Sequence, residues 1–389
     1  MKPFEALDLF NIDSLLSEEE RMIQNTVRQW VSKEVIPIIE KHDREGTFPK
    51  QLVPQLAELG TLGATIHGNG CAGLTYTSYG LIMQELERGD SGLRSFVSVQ
   101  GALCMHPIDA FGTDEQKKKY LPGMAAGKLI GCFGLTEPDF GSNPGGMITR
   151  AKKDGNNYIL NGNKMWITNG GVADLAIVWA KTEDDVIRGF IVEKGTPGYS
   201  TTDIHGKFSL RASVTSSLHF EDCKIPASNL LPNVKGLKGP FSCLNNARFG
   251  IAWGAIGSMQ AVLHEAIDYA RSRIQFDKPI ASFQLVQAKL SNIATEMTKA
   301  QLLALQLGRL KDQGKAQPWQ ISMAKMNNVS EALKASRQCR DVLGASGITD
   351  EYQAGRHMRN LESVNTYEGT EDIHRLIIGE KITGIAAYR

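Results

Sequence analysis

Four residues near the end of the first quarter of the chain combine side chains that could bind a carboxylate. Arg94 and Ser95 are followed by Ser98 one helical turn later, and Glu87 precedes them in a run that is otherwise apolar and small. A guanidinium buried without a partner costs on the order of several kcal/mol, so it requires an anion. A ligand carboxylate would supply one as a bidentate partner. A structural ion pair with Glu87 explains the same residues equally well, and the sequence leaves both interpretations open.

A glycine pattern at Gly68, Gly70 and Gly73 matches the fingerprint of dinucleotide-binding folds. That fingerprint acts only where the glycine turn and its helix are followed by a second strand that ends near an acidic residue. Here the following helix leads into another helix. We therefore expect a turn entering a helix, and no NAD(P) site.

The cysteines are far apart, with no C-x-x-C and no Cys/His spacing typical of a metal site. We expect free, buried thiols in a reducing compartment, and no metal. The six residues are Cys71, Cys104, Cys132, Cys223, Cys243 and Cys339.

The composition is that of a globular protein with enough residues for two or three domains. The chain has 389 residues, of which 42% are hydrophobic and 22% are charged. Lys plus Arg number 43 against 42 Asp plus Glu, so no long-range attraction to nucleic acid or an anionic membrane is expected. The acidic N-terminal segment resembles neither a signal nor a transit peptide, and no apolar run is long enough to span a membrane. We expect a cytoplasmic protein if the source is bacterial or archaeal, or the mature form of a mitochondrial matrix enzyme.

The residue pattern of the sequence changes twice, from one typical of helices to one typical of β-strands and back to one typical of helices. Ser17 followed by three glutamates is a capping signal, and helical spacing recurs at about 75–87 and 92–111. From about 130 to 231, short β-like runs alternate with turn residues, which suits a compact antiparallel sheet or barrel. Helical runs then cover 246–272, 282–312 and 318–343, and a last helix follows Gly369. The predicted domains are an N-terminal helical domain (1–130), a middle antiparallel β-domain (131–238) and a C-terminal helical bundle (239–389).

A set of short motifs is spread over the whole chain. In order they are CFGLTEP (132–138) followed by Gly141-Ser142, KMWITN (164–169), R-x-R-x-Q-F (271–276), LGASG (343–347) and YEGT (367–370). At these separations the set closely resembles the acyl-CoA dehydrogenase family. The resemblance implies N-terminal helices, a middle β-domain and a C-terminal four-helix bundle. It also implies FAD between the last two domains, completed by a neighbouring subunit of a homotetramer.

The resemblance implies that Glu368 is the base that removes the α-proton of an acyl thioester, while the β-hydrogen leaves as hydride. Such a base needs a dry site and a pKa near neutrality, and Gly369 permits close backbone approach. A solvated glutamate at a helix N-terminus is the alternative interpretation. Some branches of the family carry the base at a position that falls near 250–251 here, where no carboxylate stands.

The resemblance further assigns contacts to FAD and to the coenzyme A moiety. For FAD they are Phe133, Leu135, Thr136, Ser142, Trp166, Ile167, Thr168, Arg273, Phe276, Gln284, Asp341, Gly344, Ala345, Thr370 and Asp372. For the CoA substrate they are Ser142, Phe241, Asn245 and Arg248, together with Tyr367 and Gly369 beside the base. Core packing would equally explain the aromatic residues, and a surface ion pair would explain Arg273.

Several stretches, among them LRSFVSVQ and NTYEGT, resemble the branch of the family that acts on glutaryl-CoA. In that branch an arginine and serines, here Arg94, Ser95 and Ser98 with Glu87, hold the distal carboxylate. Tyr367 beside the base implies decarboxylation to crotonyl-CoA, because non-decarboxylating relatives carry valine. The implied electron acceptor is an electron-transfer flavoprotein, and the implied pathways are lysine and tryptophan degradation. The alternatives are a dehydrogenase of short or branched acyl-CoAs, a non-decarboxylating glutaryl-CoA enzyme, an oxidase, and a catalytically silent acyl-CoA-binding flavoprotein.

Overall fold

The computed structural model describes residues 4–387, and it confirms the predicted order of helices, strands and helices. The first helical region contains α1 (Glu18–Trp30), α2 (Ile36–Glu45), α3 (Val53–Glu58), the hairpin β1 (His67–Gly68) and β2 (Cys71–Ala72), α4 (Tyr76–Gly89), α5 (Ser91–Ser98), α6 (His106–Phe111) and α7 (Asp114–Ala125). Two π-helical segments, Val31–Val35 and Val99–Met105, join α1 to α2 and α5 to α6. Along residues 4–387, no helix is long and apolar enough to cross a membrane.

Two local predictions in this region are confirmed. The Ser17 side chain accepts from the Glu20 amide, and the Glu20 carboxylate accepts from the Ser17 amide, which closes a capping box. The glycine pattern forms the β1–β2 hairpin and not a nucleotide-binding unit. Gly68 and Gly70 have φ of 78° and 82°, so the tight turn explains why glycine stands there.

All six cysteines are free, and only Cys71 is not fully buried.

The middle region is one curled sheet whose strand order is β3-β6-β4-β5-β9-β8, with β7 beside β6. Its strands are β3 (Gly131–Gly134), β4 (Arg150–Asp154), β5 (Asn157–Thr168), β6 (Leu175–Lys181), β7 (Ile187–Glu193), β8 (Tyr199–Asp203) and β9 (Thr215–Pro226). Most pairs are antiparallel, as predicted. The pairings of β6 with β3 and with β4 are parallel, because the chain forms β4 and β5 before β6 returns between β3 and β4.

A bulge interrupts β5 near the C-terminal end of the strand. The register with β9 shifts between Lys164 and Ile167, so Met165 and Trp166 fall out of the ladder. The Met165 amide instead donates to the Thr136 carbonyl at 2.9 Å. Trp166 takes a φ of 63° and its side chain is 59% exposed. The bulge therefore presents an aromatic ring outside the sheet.

The last region is helical, with a short hairpin (β10, Ile274–Gln275; β11, Lys278–Pro279) after its first helix. The helices are α8 (Lys238–Ser272), α9 (Gln284–Asp312), α10 (Pro318–Val342), α11 (Ala354–Thr366) and α12 (Glu371–Thr383). The sequence did not predict α11. Its buried face includes Arg356, His357 and Asn360, so apolar periodicity is weak there.

Helix α8 approaches α4 closely through glycines. A Cβ at Gly257 would lie 1.8 Å from the Gln84 carbonyl oxygen, and one at Gly254 would lie 2.1 Å from the Glu87 carboxylate. Both distances are shorter than real contacts allow. The glycines therefore set the depth at which α4 places Glu87 between the helices.

Replacing Gly257 with alanine should force α4 and α8 apart and cost about 1–3 kcal/mol, the usual effect of overpacking a core. The measurement is the midpoint of thermal unfolding of the purified variant. Gly379→Ala on α12 is the matched control, because a Cβ there meets nothing within 4 Å. The control should be neutral or stabilising by up to about 1 kcal/mol, since alanine is the better helix former. Equal midpoints for the two variants would show that the helices do not depend on this contact.

Candidate active site

The turn at residues 367–369, between α11 and α12, is strained and held by two buried cations. Glu368 has a φ of 54° and Gly369 a φ of 97°, a backbone region that costs a non-glycine residue on the order of 1 kcal/mol or more. Arg248 of α8 donates its Nε to the Glu368 carbonyl at 2.6 Å. Lys325 of α10 donates its Nζ to the carbonyls of Gly369 at 2.9 Å and Tyr367 at 3.2 Å. These bonds fix a conformation that the chain would otherwise avoid.

Gly369 is required by close packing as well as by conformation. A Cβ there would lie 3.1 Å from the His374 ring and 3.2 Å from the Arg248 guanidinium. The turn therefore sits against both side chains without intervening space.

The Glu368 carboxylate is directed into a buried position. Its Oε2 is buried and has no hydrogen-bond partner among the described residues. Burial raises the pKa of Glu368 above its ordinary value, while the charges of Arg94, Arg248 and Lys325 oppose that rise. A carboxyl group with a raised pKa and a free oxygen is suited to take a proton from carbon near neutral pH.

Arg94 lies beside the same turn and is completely buried, at 0% exposure. Its Nε donates to the Glu87 carboxylate at 2.6 Å, and its Nη2 donates to the Tyr367 hydroxyl. The Ser95 hydroxyl donates to the same Tyr367 oxygen at 3.3 Å. Burial opposes the charge, but Glu87 and Tyr367 hold the pKa of Arg94 above its ordinary value. Arg94 is therefore a permanent cation in a fixed orientation.

The remaining nitrogen of this guanidinium is free. Arg94 Nη1 is buried and has no partner within residues 4–387. The sequence predicts a bidentate pair between Arg94 and a ligand carboxylate, and this stays a prediction. Glu87 and Tyr367 accept from Nε and Nη2, but each η-nitrogen carries two N–H groups, so Nη1 remains available to a ligand. The Glu87–Arg94 ion pair is present as well.

Helix α8 packs tightly against α4 near the site, at Gly250. A Cβ at Gly250 would lie 3.0 Å from the Tyr79 hydroxyl and 3.2 Å from Met83. A carboxylate at that position would need these side chains to move, which strengthens Glu368 as the candidate base. Ser98 is buried beside Tyr79 at the far end.

A second cluster lies at the bulge in β5. Lys164 is buried and donates to the Leu135 carbonyl at 3.1 Å and to the Glu137 carboxylate at 2.9 Å. Burial lowers the pKa of Lys164 to about 8 against the opposing charge of Glu137. Together with the bond between Met165 and Thr136, this brings residues 135–136 next to 166–168. Leu135 and Ile167 are buried, Thr136 and Thr168 half-buried, and Trp166 exposed.

Among residues 4–387, the side chains of the other predicted cofactor and CoA residues form no hydrogen bond or ion pair with either cluster. Phe133 packs against Trp179 inside the β-region, and the Thr370 hydroxyl caps α12. Asp341 pairs with Lys289, and Asp372 pairs with Arg375. The rest lie on exposed or half-buried surface: Ser142, Phe241, Asn245, Arg273, Phe276, Gln284, Gly344 and Ala345. No group of three or more metal-binding side chains occurs in the described residues.

Family models for the N-terminal, middle and C-terminal domains of acyl-CoA dehydrogenases match residues 17–128, 132–223 and 235–383. The short-chain specific acyl-CoA dehydrogenase of human mitochondria is 36% identical over 381 residues, which is 96% of this chain and 92% of the relative. This chain belongs to the acyl-CoA dehydrogenase family. The resemblance stated from the sequence is thereby confirmed.

Two solved structures resemble this acyl-CoA dehydrogenase over nearly its whole length. A glutaryl-CoA dehydrogenase from Mycobacterium smegmatis in complex with FADH2 is 54% identical with a TM-score of 0.97, covering 98% of this chain and 99% of its own. A chain in a structure of the electron transferring flavoprotein of Acidaminococcus fermentans is 34% identical with a TM-score of 0.91, covering 97% and 100%.

The sequence analysis of this acyl-CoA dehydrogenase missed Lys325 and His374. Both are buried in the wall behind the 367–369 turn. A lysine flanked by Ile321, Ala324 and Val329 on an apolar face was the available signal, since lysine is almost never fully buried without a partner. The His374 ring gave no such signal, because a lone histidine is common in helices.

Replacing Glu368 with glutamine should stabilise this acyl-CoA dehydrogenase at neutral pH. Its pKa is raised on folding, so the folded state binds the proton more tightly than the unfolded state. The ionised carboxylate therefore lowers stability above the folded pKa, whereas below the ordinary value of 4.5 both states are protonated and the cost disappears. The free energy of unfolding that the variant gains over wild type should be small at low pH. It should grow as the pH rises through the pKa that Glu368 has in the folded state.

Thermal unfolding midpoints measured across a pH series test this. Glu351→Gln, at an exposed position, is the control and should show no such growth. A Glu368→Gln variant that loses stability at neutral pH would contradict the burial argument.

Proposed function

We propose that this chain is an FAD-dependent glutaryl-CoA dehydrogenase that converts glutaryl-CoA to crotonyl-CoA and CO2. The main support for this substrate is the free Nη1 of Arg94, which is a buried cationic donor in the same site as the free Oε2 of Glu368. A plain alkyl chain offers nothing to that donor, whereas the distal carboxylate of a dicarboxylic acyl-CoA would satisfy it. The 54% identity to a glutaryl-CoA dehydrogenase supports the same substrate.

The residues around the bulge in β5 are of the types that could bind a flavin. Trp166 is held in a left-handed conformation with its ring exposed, and Phe276 on the hairpin is 85% exposed with a φ of 52°. Exposed aromatic rings are suited to pack against a bound planar group. Residues 135–136 and 166–168 would hold the ring system, and Arg273 and Phe276 would reach the cofactor of a neighbouring subunit. FAD, when bound, accepts the hydride from the β-carbon of the substrate.

Glu368 begins the reaction by taking a proton from the α-carbon onto Oε2. Arg94 holds the distal carboxylate, which places the α-carbon opposite Glu368; such positioning is a large part of catalysis. The buried wall excludes water, so the proton stays on Glu368. Loss of the β-hydride gives glutaconyl-CoA.

Tyr367 favours the decarboxylation that follows. It accepts from Arg94 Nη2 and Ser95, so one N–H of Nη2 is already used and fewer guanidinium donors are left for the substrate carboxylate. A carboxylate held by fewer donors is less stabilised. Its carbon–carbon bond breaks to release CO2, and the electron pair delocalises as a dienolate into the thioester carbonyl. The proton on Glu368 then returns to the γ-carbon and gives crotonyl-CoA.

We further propose a homotetramer and an electron-transfer flavoprotein as acceptor. The exposed hairpin with Ile274 and Phe276 supports contact with another subunit, because large apolar side chains at 52% and 85% exposure favour burial. The match to a chain in the structure of an electron transferring flavoprotein supports the acceptor.

A short-chain acyl-CoA dehydrogenase is the second candidate. Arg94 already has a carboxylate partner in Glu87, so a structural ion pair accounts for its charge. The 36% identity to the human short-chain enzyme is consistent with this reading, but the reading leaves Arg94 Nη1 unexplained.

Mixing the purified holoenzyme with glutaryl-CoA and an artificial electron acceptor should bleach the flavin and yield crotonyl-CoA and CO2. The products are identified by mass spectrometry, with butyryl-CoA tested in parallel. Glutaconyl-CoA without CO2 would overturn the role given to Tyr367. Preference for butyryl-CoA over glutaryl-CoA would establish the second candidate instead.

The double variant Arg94→Met/Glu87→Gln sharpens the same assay. It removes both charges together, so no unpaired carboxylate is left buried in the site. Its kcat/KM for glutaryl-CoA should fall about 100-fold or more, consistent with losing a charge-assisted contact, while butyryl-CoA loses much less. Lys152→Met, at an exposed position on β4, should leave both substrates unaffected.

A further inference from the structure

Lys325 is a buried lysine without a carboxylate partner. It lies on α10 at 1% exposure, and within residues 4–387 it forms no ion pair. Its ammonium group is directed instead at backbone carbonyls of Gly369 at 2.9 Å, Tyr367 at 3.2 Å and Asn365 at 3.5 Å. All three belong to the end of α11 and the turn that carries Glu368. A cation in this position needs an explanation, because burying it costs several-fold more than burying an amide.

The three bonds oppose the strain in the turn. The carbonyls on either side of Glu368 are both bound by Lys325, and the carbonyl of Glu368 itself is bound by Arg248. Consecutive carbonyls are thus held by side chains from two helices, α10 and α8. Removing Lys325 would leave buried acceptors unsatisfied and let the left-handed conformation relax.

Charged groups from every neighbouring element face this ammonium. They are Glu368 on the turn, Arg248 on α8, Arg94 on α5, and Glu371 and His374 on α12. Burial lowers the pKa of Lys325 to about 7, and the negative charge of Glu368 opposes that shift. Burial, together with Lys325 and Arg248, lowers the pKa of His374 to about 2, so the imidazole stays neutral. Arg248 and the ammonium form of Lys325 therefore contact the turn through its backbone and act on the carboxylate by charge.

We propose that Lys325 is a positioning residue for the base: it locks the backbone of the 367–369 turn and places a positive charge behind the Glu368 carboxylate. This inference rests on the proposed role of Glu368. The two contributions are separable. The hydrogen bonds fix where Oε2 points, and the charge keeps the carboxylate ionised in a site whose burial favours the neutral acid.

The test compares Lys325→Met, which removes donor and charge, with Lys325→Gln, which keeps a donor without a charge. Lys334→Met is the matched control, since Lys334 is on the same helix but exposed and paired with Glu331. The substrate is 3-thiaglutaryl-CoA, in which sulfur replaces the β-methylene. Its α-proton can be removed, but no hydride can leave. Exchange of the α-hydrogens with deuterated water, followed by NMR, then reports proton abstraction without oxidation.

Lys325→Met should slow this exchange by about tenfold or more, within the range of a mispositioned base, while KM for glutaryl-CoA oxidation changes by less than about threefold. The acid limb of the exchange rate should move to higher pH, because the Glu368 carboxylate loses a stabilising charge. Lys325→Gln should recover part of the rate but keep the shifted limb, and Lys334→Met should match wild type.

An exchange rate and acid limb equal to wild type in both Lys325 variants would overturn the proposal. A lost rate with an unmoved acid limb would overturn the charge contribution. If the methionine variant fails to fold, the glutamine variant decides the question by the same two readouts. If wild type itself exchanges no α-hydrogen, the role of Glu368 fails and with it the proposed function.

Discussion

The active site depends on one constraint: a carboxylate must be buried, unpaired and pointing in a fixed direction on a backbone that resists that shape. Glu368 stands at positive φ, and its Oε2 has no partner in the described chain. Arg248 and Lys325 hold the turn by its carbonyls, whereas neither is close enough to neutralise the carboxylate as an ion pair. The long helices α8 and α10 carry these two cations, and glycines of α8 permit its close approach to α4.

A similar arrangement recurs at the bulge in β5. Lys164 is buried in the sheet and binds the Leu135 carbonyl, much as Lys325 binds the carbonyls beside Glu368. Each lysine is directed at the backbone of a loop that carries functional residues. Unlike Lys325, Lys164 has a carboxylate partner in Glu137, so its charge is balanced locally. Buried ammonium groups thus bind backbone carbonyls in both clusters. The charge of only one of them is left to act on the chemistry.

The sequence predicted the elements better than the contacts. Capping at Ser17, the β-like middle region and the long helices follow from local patterns, and the structure has them. Helix α11 was not predicted because its buried face is polar. The polar residues on that face are buried in ion pairs, such as that of Arg356 with Asp90. Local patterns also gave Arg94 and Glu87 as a pair. They could not show that Tyr367, 273 residues away in the chain, accepts a hydrogen bond from a second nitrogen of the guanidinium. Such long-range contacts depend on packing that no single segment encodes.

The most direct test of this account is a crystal structure of the holoenzyme bound to a dicarboxylic acyl-CoA that cannot be oxidised. Arg94 Nη1 and Glu368 Oε2 should meet the two ends of one acyl chain. The account predicts the distal carboxylate at about 2.7–2.9 Å from Arg94 Nη1, the range of a charge-assisted hydrogen bond. It also predicts the α-carbon at about 3–3.5 Å from Glu368 Oε2, the separation of reacting atoms before transfer. A distal carboxylate placed elsewhere, with Arg94 Nη1 still unpaired, would contradict it.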